Sequence, residues 1–258
     1  MGTTCGWVRD DDPSEKQPMA GLKHWIRSGL RRLGYDVHRL ADASSMEEGL
    51  KRHSRWIPVR TIIDVGASDG RWSRMALSAF PEASCLLVEA QGEPHAEGLD
   101  QFVTDHPTSR VVIAAAGDVE GEIHFDAGDP FGGVASKDVT GPHDVVVPMT
   151  TIDMEVRRYR LEGPFLLTLD THGFEGPVLE GARATLAETS LLIVESYSFE
   201  LMPGSMRFHE LCAHVEGHGL RPIDLVDILR RPGDDALWQF DLFFARSDQP
   251  IFKPNSYL

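Results

Sequence analysis

The residues best suited to chemistry lie in short stretches that each follow an apolar run. The first is the turn Asp64-Val-Gly-Ala-Ser-Asp-Gly70, which grows out of Thr61-Ile-Ile-Asp-Val65. Gly66 and Gly70 allow backbone to approach a ligand without an intervening Cβ, and Ala67 and Ser68 between them are small. The spacing is G-x-x-x-G rather than the G-x-G-x-x-G of a dinucleotide-binding turn. A ligand with no pyrophosphate needs no phosphate cradle, so this departure favours S-adenosylmethionine over NAD, with Asp64 closing the strand beside it. Glu89 ends the second apolar run, Ser84–Glu89, about 20 residues beyond the turn, where a carboxylate accepts hydrogen bonds from ribose hydroxyls. Ala90 continues that edge. Asp118, in Ala116-Gly-Asp118 after the third run, offers a carboxylate to an adenine amino group.

A second set of groups could act on a substrate. Asp170 and His172 in Asp170-Thr-His-Gly-Phe-Glu175 follow one apolar run, and Glu195 ends the next. Imidazole can take a proton near neutral pH, which suits a base that activates a hydroxyl. Two other readings stay open here. Asp170 and Glu195, with a further carboxylate, could hold a divalent cation such as Mg²⁺ that lowers the acceptor's pKa; or His172 only caps the following helix.

The elements needed to position these groups are legible. Strands are predicted at Thr61–Val65, Ser84–Glu89, Arg110–Ala115, Phe165–Asp170, Leu191–Glu195, Arg221–Leu225 and Trp238–Ala245. Helices are predicted over about 72–80, 94–104, 174–187 and 205–217. Such alternation predicts an α/β, doubly wound sheet with helices on both faces. Between the third and fourth runs, Glu122–Phe125 and Val145–Met149 read as an antiparallel pair around a Gly-rich loop over 128–141. The aromatic and glycine residues of Phe131–Ser136, with Tyr197 and Phe199, are expected to form an acceptor pocket. Residues 1–18 read as a disordered tail, 19–60 as a helical extension and 61–258 as the main domain. In the extension, Leu22, Trp25, Ile26, Leu30 and Leu33 share one helical face, which would need cover from the domain or from a second subunit, so a homodimer is conceivable.

Composition narrows the partners. The chain has 258 residues and a net charge of −15. Residues 21–60 hold nine Lys and Arg against four Asp and Glu, whereas residues 61–258 hold 14 against 32. An acidic body repels a phosphate backbone, so nucleic acid is not expected as the partner. No apolar run reaches the length of a membrane span and no secretory signal is evident, so a cytoplasmic protein is expected. Three scattered cysteines, Cys5, Cys85 and Cys212, form no disulfide or zinc pattern.

Taken together, several stretches resemble the FkbM-type methyltransferases. They are Ile63-Asp-Val-Gly-Ala-Ser-Asp-Gly70, Ala115-Ala-Gly-Asp118, Leu167–Glu175 with Val178-Leu-Glu-Gly-Ala182, and Leu192-Ile-Val-Glu195. The Gly34–Arg39 entry and the Leu237–Phe244 ending are similar as well. The resemblance implies a seven-stranded, mostly parallel, Rossmann-like class I methyltransferase sheet whose last strand is antiparallel. It also implies O-methylation of a hydroxyl on a small molecule, a sugar or polyketide-like product. The family pattern often carries a carboxylate or amide at the position of His172, and commonly Asn at that of Ser68. Two other functions fit a similar sheet: a nicotinamide-dependent oxidoreductase, which the missing G-x-G-x-x-G disfavours, and a non-catalytic cofactor-binding module.

Overall fold

A computed structural model describes residues 44–139 and 141–253. In chain order they form α1 (Met46–His53), β1 (Thr61–Val65), α2 (Arg71–Ala79), β2 (Ser84–Glu89), α3 (Gly92–Asp105) and β3 (Arg110–Ile113). An inserted group follows: β4 (Ala115–Ala116), β5 (Gly121–Asp126), β6 (Val134–Ser136) and β7 (Asp144–Thr150). The chain then makes α4 (Ile152–Tyr159), β8 (Phe165–Leu169), α5 (Glu175–Glu180), α6 (Arg183–Glu188), β9 (Thr189–Tyr197), α7 (Phe208–Glu216), β10 (Leu220–Arg230) and β11 (Leu237–Arg246). The amphipathic stretch over 19–33 and the tail over 1–18 lie outside the described residues.

The main sheet has seven strands in the order β10-β11-β9-β8-β1-β2-β3. Its strands run in one direction except β11, which is antiparallel to both neighbours. Alternate residues feed two separate cores. Ile63, Val65, Leu86 and Val88 pack on one side, while Ile62, Cys85 and Leu87 pack on the other. Each face is covered, which is why these strands read as continuous apolar runs. From β1 the chain winds outward through β2 and β3, then returns to place β8 on the opposite side of β1. That reversal opens a crevice at the carboxyl ends of β1 and β8, the usual ligand position in such a sheet.

Three expectations need correction. The third strand does not run to Ala115. It stops at Ile113, Ala114 donates its N–H to the Glu89 carbonyl at 2.9 Å, and Ala115–Ala116 leave to pair with β7 in a second sheet. That sheet has the order β4-β7-β5-β6, and β5 pairs with β7 antiparallel as predicted; β6 adds a strand inside the Gly-rich loop. The single helix expected over 174–187 is two. Gly181 lies against the Gly117 peptide, where a Cβ would sit 1.9 Å from the Gly117 carbonyl oxygen. After this break α6 starts afresh, its first turn capped by the Asp153 carboxylate, which accepts from the Ala184 and Thr185 amides at 2.9 and 2.8 Å.

The third concerns the boundary expected at residue 61, which falls inside the compact unit that begins at Ser44. Met46, Leu50 and Ile57 are buried in the same core as Ile62 and Phe243. Asp227 and Asp224 of β10 hold α1 in place. Asp227 accepts from the Met46 amide at 3.0 Å, and Asp224 contacts His53 at 2.9 Å. Among the described residues no helix is long and apolar enough to cross a membrane.

Candidate active site

A cavity of about 370 Å³ opens at the carboxyl ends of β1, β2 and β8. Its floor is the turn after β1: Gly66, Ala67 and Ser68 line it, and Ala90 and Gln91 extend the wall from β2. Gly66 adopts φ +82°, and a Cβ there would stand 2.1 Å from the Asp170 carbonyl oxygen. Glycine is thus demanded by the neighbouring strand end itself. Gly70 (φ +77°) does not line the cavity. It precedes α2 and faces Phe102 and Leu87, so it serves helix entry and packing.

Glu89 is buried and faces the cavity. Its two oxygens accept the backbone amides of Ser68 and Gln91, both at 2.7 Å. The carboxylate therefore fixes the turn while its remaining lone pairs stay open to the cavity. Ser68 is held at φ +50°, an uncommon conformation for a residue with a side chain, which presents its N–H to Glu89.

Two predicted contacts are not made. Asp64 does not close β1, which continues to Val65, and its side chain points away from the cavity toward α2. There it accepts from the Ser73 hydroxyl at 2.6 Å, and burial pushes its carboxyl up to about 7. Asp64 holds strand to helix beneath the turn. Asp118 is exposed beyond β4 and takes no part in the cavity wall. The small side chains of Ala114, Ala115 and Ala116 line that side instead.

The opposite wall carries the ionisable groups. Asp170 and His172 line the cavity. His172 sits at φ +51°, and its Nε2 lies 3.5 Å from Asp170 Oδ1 and 3.7 Å from Glu195 Oε2. A β-carbon-bearing residue in this backbone region stores strain of the sort found at functional turns. Glu175 supports the turn by accepting from the Gly173 amide at 2.8 Å and the Thr171 hydroxyl at 3.2 Å. Parallel pairing of β8 with β9 is what brings Glu195 beside the Asp170 turn.

Glu195 is buried behind His172 and does not itself line the cavity. Tyr197 donates its hydroxyl to Oε2 and Gln239 its amide to Oε1. Burial, reinforced by the Asp170 charge, pushes the Glu195 carboxyl well above the usual carboxylate range. Burial also raises Tyr197 and brings Asp241 up to about 7. Asp170, His172 and Glu195 thus meet, with donor atoms all within 4.8 Å. The set does not suit Mg²⁺, which wants oxygen ligands in a near-ideal octahedron. One donor is an imidazole, and Glu195 is engaged by Tyr197 and Gln239 and resists ionisation.

The acceptor-side residues are partly relocated. Phe131, Gly133 and Ala135 line the cavity, joined by Phe125 and Pro130 of the same insert. Tyr197 and Phe199 do not; both rings pack on Trp238, at 6.2 and 5.4 Å. Sequence reasoning missed Gln91, His95 and Gln239. Gln91 donates its side-chain amide to the Asp129 carbonyl at 3.0 Å, and His95 Nε2 contacts the Pro130 carbonyl at 2.8 Å. His95 Nδ1 also reaches Ser68 Oγ at 3.5 Å, so the insert is tied to the turn after β1. Gln91 could have been found as the first polar side chain after Glu89. Gln239 carries no local signal, because the antiparallel register of β11 against β9 places it there. At the cavity mouth Arg71 is committed to Asp69, at 2.9 and 2.7 Å, and lies over the Phe131 ring at 4.7 Å.

Comparison with known proteins gives the family. Residues 64–222 match the model of the methyltransferase FkbM domain. Similar solved structures include methyltransferase FkbM from Methylobacillus flagellatus KT, 15% identical with a TM-score of 0.47, covering 71% of this chain and 43% of that one. Another is TrmK of M. capricolum in complex with S-adenosyl-homocysteine, 10% identical with a TM-score of 0.43, covering 77% and 67%. A third is precorrin-6y C5,15-methyltransferase from Geobacter metallireducens GS-15, 10% identical with a TM-score of 0.40, covering 78% and 87%. This chain therefore spans less than half the length of the first of these. Comparison with curated proteins by sequence finds no match. With more than half of its residues matched by the family model, the chain belongs to the FkbM methyltransferase domain family.

Proposed function

We propose that this chain is an S-adenosylmethionine-dependent O-methyltransferase acting on a hydroxyl of a small molecule, a sugar, glycoside or glycosylated natural product. The observation that carries the reading is the pairing, across one cavity, of a ribose-type carboxylate with a His–Asp turn. Glu89 and the Gly66–Ser68 backbone stand on one wall, and Asp170 and His172 on the other. The bound cofactor would supply an electrophilic methyl group on a positively charged sulfur. The lining fits such a ligand: Glu89 and Asp170 are carboxylates, and Arg71 is already paired with Asp69. That charge pattern is wrong for a dinucleotide pyrophosphate, which wants a glycine-rich phosphate cradle.

His172 would take the acceptor proton at Nε2. The Asp170 carboxylate beside it would favour the imidazolium that results. Phe125 and Phe131 of the insert would form the apolar side of the acceptor pocket and exclude water. Most of the acceleration would come from alignment, since positioning alone is worth on the order of 7–11 kcal/mol.

The test is a methyl-transfer screen with labelled S-adenosylmethionine over glycosides and hydroxylated natural products, run with Mg²⁺ and with EDTA. Labelled ether product, S-adenosylhomocysteine and a rate indifferent to EDTA are expected. Calorimetry with S-adenosylhomocysteine and NAD separates the oxidoreductase reading; binding of NAD alone would overturn the proposal.

A further inference from the structure

A second constellation lies at the carboxyl end of α5, the helix whose N-cap Phe174 lines the cavity. Glu180 ends α5; His214 sits in the last turn of α7; and His218 follows one turn later, its amide donating to the Val215 carbonyl at 3.0 Å. That bond carries the helical path past Gly217, so His214 and His218 keep the i, i+4 spacing that places two side chains on one helix face. Their rings are 5.2 Å apart. Glu180 Oε1 stands 3.9 Å from His214 Nε2, and one ligand atom from each of the three residues lies within 4.8 Å of the others.

A second observation makes this more than a cluster. His214 Nε2 is buried and has no hydrogen-bond partner. A buried ring nitrogen without a partner is unfavourable, because nothing replaces the water hydrogen bond it gave up. Glu180 leaves Oε1 available, because Arg183 binds the other oxygen at 2.8 Å. The unsatisfied nitrogen and this oxygen face each other across a gap too long for a hydrogen bond and short enough for a shared ion.

We propose that Glu180, His214 and His218 form a transition-metal site, taking Zn²⁺ or a similar N/O-preferring divalent ion and clamping α5 to α7. Two imidazoles and one carboxylate are borderline ligands that suit zinc better than Mg²⁺ or Ca²⁺. Bonds of about 2.0–2.2 Å set ligand atoms about 3.4 Å apart in a tetrahedron. The observed spacings therefore close by small rotations of partly exposed side chains. Three protein ligands leave one position for water. None of the three residues lines the cavity, so the site is separate from Asp170, His172 and Glu195.

The experiment uses the full chain without a histidine tag, stripped with a chelator and titrated with Zn²⁺ in a calorimeter and in thermal melts. Saturable binding with a raised melting temperature is expected. His214→Ala and His218→Ala should each abolish that component, Glu180→Gln should weaken it, and His172→Ala should leave it intact. On the unmutated chain, Zn²⁺ should also shield His214 and His218 from diethyl pyrocarbonate, read by peptide mass, which needs no variant to fold. Absence of saturable binding, binding that survives both histidine substitutions, or no protection of either histidine overturns the site.

Discussion

The Glu89 carboxylate accepts the Ser68 amide on one oxygen and the Gln91 amide on the other, each at 2.7 Å. One side chain thereby sets the geometry of the turn after β1 and the start of the wall after β2. Glu89→Gln offers an NH₂ group to one of those amides in place of an acceptor. A buried donor left without its partner costs about 1–3 kcal/mol. The variant should lose stability by that amount in denaturant melts and bind S-adenosylhomocysteine at least about tenfold more weakly, a change of about 1.4 kcal/mol. Asp118→Ala should leave both quantities unchanged; a comparable loss there would place the adenine on the Asp118 side after all.

Gly66→Ala tests the packing of the two central strand ends. The added Cβ meets the Asp170 carbonyl oxygen at 2.1 Å and must adopt φ +82°. Backbone strain of this kind costs on the order of 1–3 kcal/mol before the clash is counted. The melting temperature should fall, and cofactor binding should be lost in protein that is still folded by circular dichroism. Near-native affinity would show that β1 and β8 can separate here without harm to the site.

Chemistry should depend on His172. With an acceptor in hand, His172→Ala is expected to reduce kcat by about 10²–10⁴, the range for loss of a positioned base. Binding of S-adenosylhomocysteine should change little, since Glu89 and the Gly66–Ser68 backbone hold the other side of the cavity. Asp170→Asn should lower kcat less than the histidine change does. A kcat untouched by His172→Ala assigns proton removal to another group or to solvent.

Burial of carboxyl groups sets the pH dependence of stability. Asp64 titrates near 7 in the folded chain, against 3.8 ordinarily, because its burial between β1 and α2 disfavours the charge. Between those values the unfolded chain has released a proton that the folded chain keeps. Folding stability therefore falls as pH rises through about 4 to about 7 and levels off above. Asp64→Asn can still accept from Ser73 and has nothing to titrate. Its denaturation midpoint should gain on the unsubstituted chain as pH rises across that window. Asp241 and Glu195, shifted in the same direction, keep some slope in both proteins.

The central part of this architecture was readable because it follows period and punctuation. Apolar runs give β1 and β2 to the residue, β8 to within one and β9 two residues short at each end, and parallel pairing of β8 with β9 is enough to bring Asp170, His172 and Glu195 together. Asp64 was misplaced for a simple reason. Strand side chains alternate faces, and its position shares the face of Ile62, whose core includes α2, rather than the end of the strand. Asp118 was assigned by order along the chain, but the chain leaves the main sheet at Ala114 and carries it away. The split between α5 and α6 depends on Gly181 meeting Gly117, and the engagement of Glu195 by Gln239 depends on the register of β11. Such long-range contacts leave no periodic trace in sequence.

The insert departs and returns through adjacent strands: Ala115 pairs with Met149 and Ala116 with Thr150. The segment 117–148 is attached like a page to a spine along that two-residue seam, and Gln91 and His95 tie its outer part to the frame through the Asp129 and Pro130 carbonyls. Ile123, Phe125, Ala135 and Val147 of the page are buried in the core they share with the frame, whereas its exposed residues can be exchanged without touching any strand of the seven-stranded sheet. The groups proposed to bind the donor, Glu89 and the Gly66–Ser68 backbone, belong to the frame, whereas Phe125 and Phe131 belong to the page. Selection on what the pocket admits can therefore act on the exposed parts of the page while the frame keeps what it must always hold.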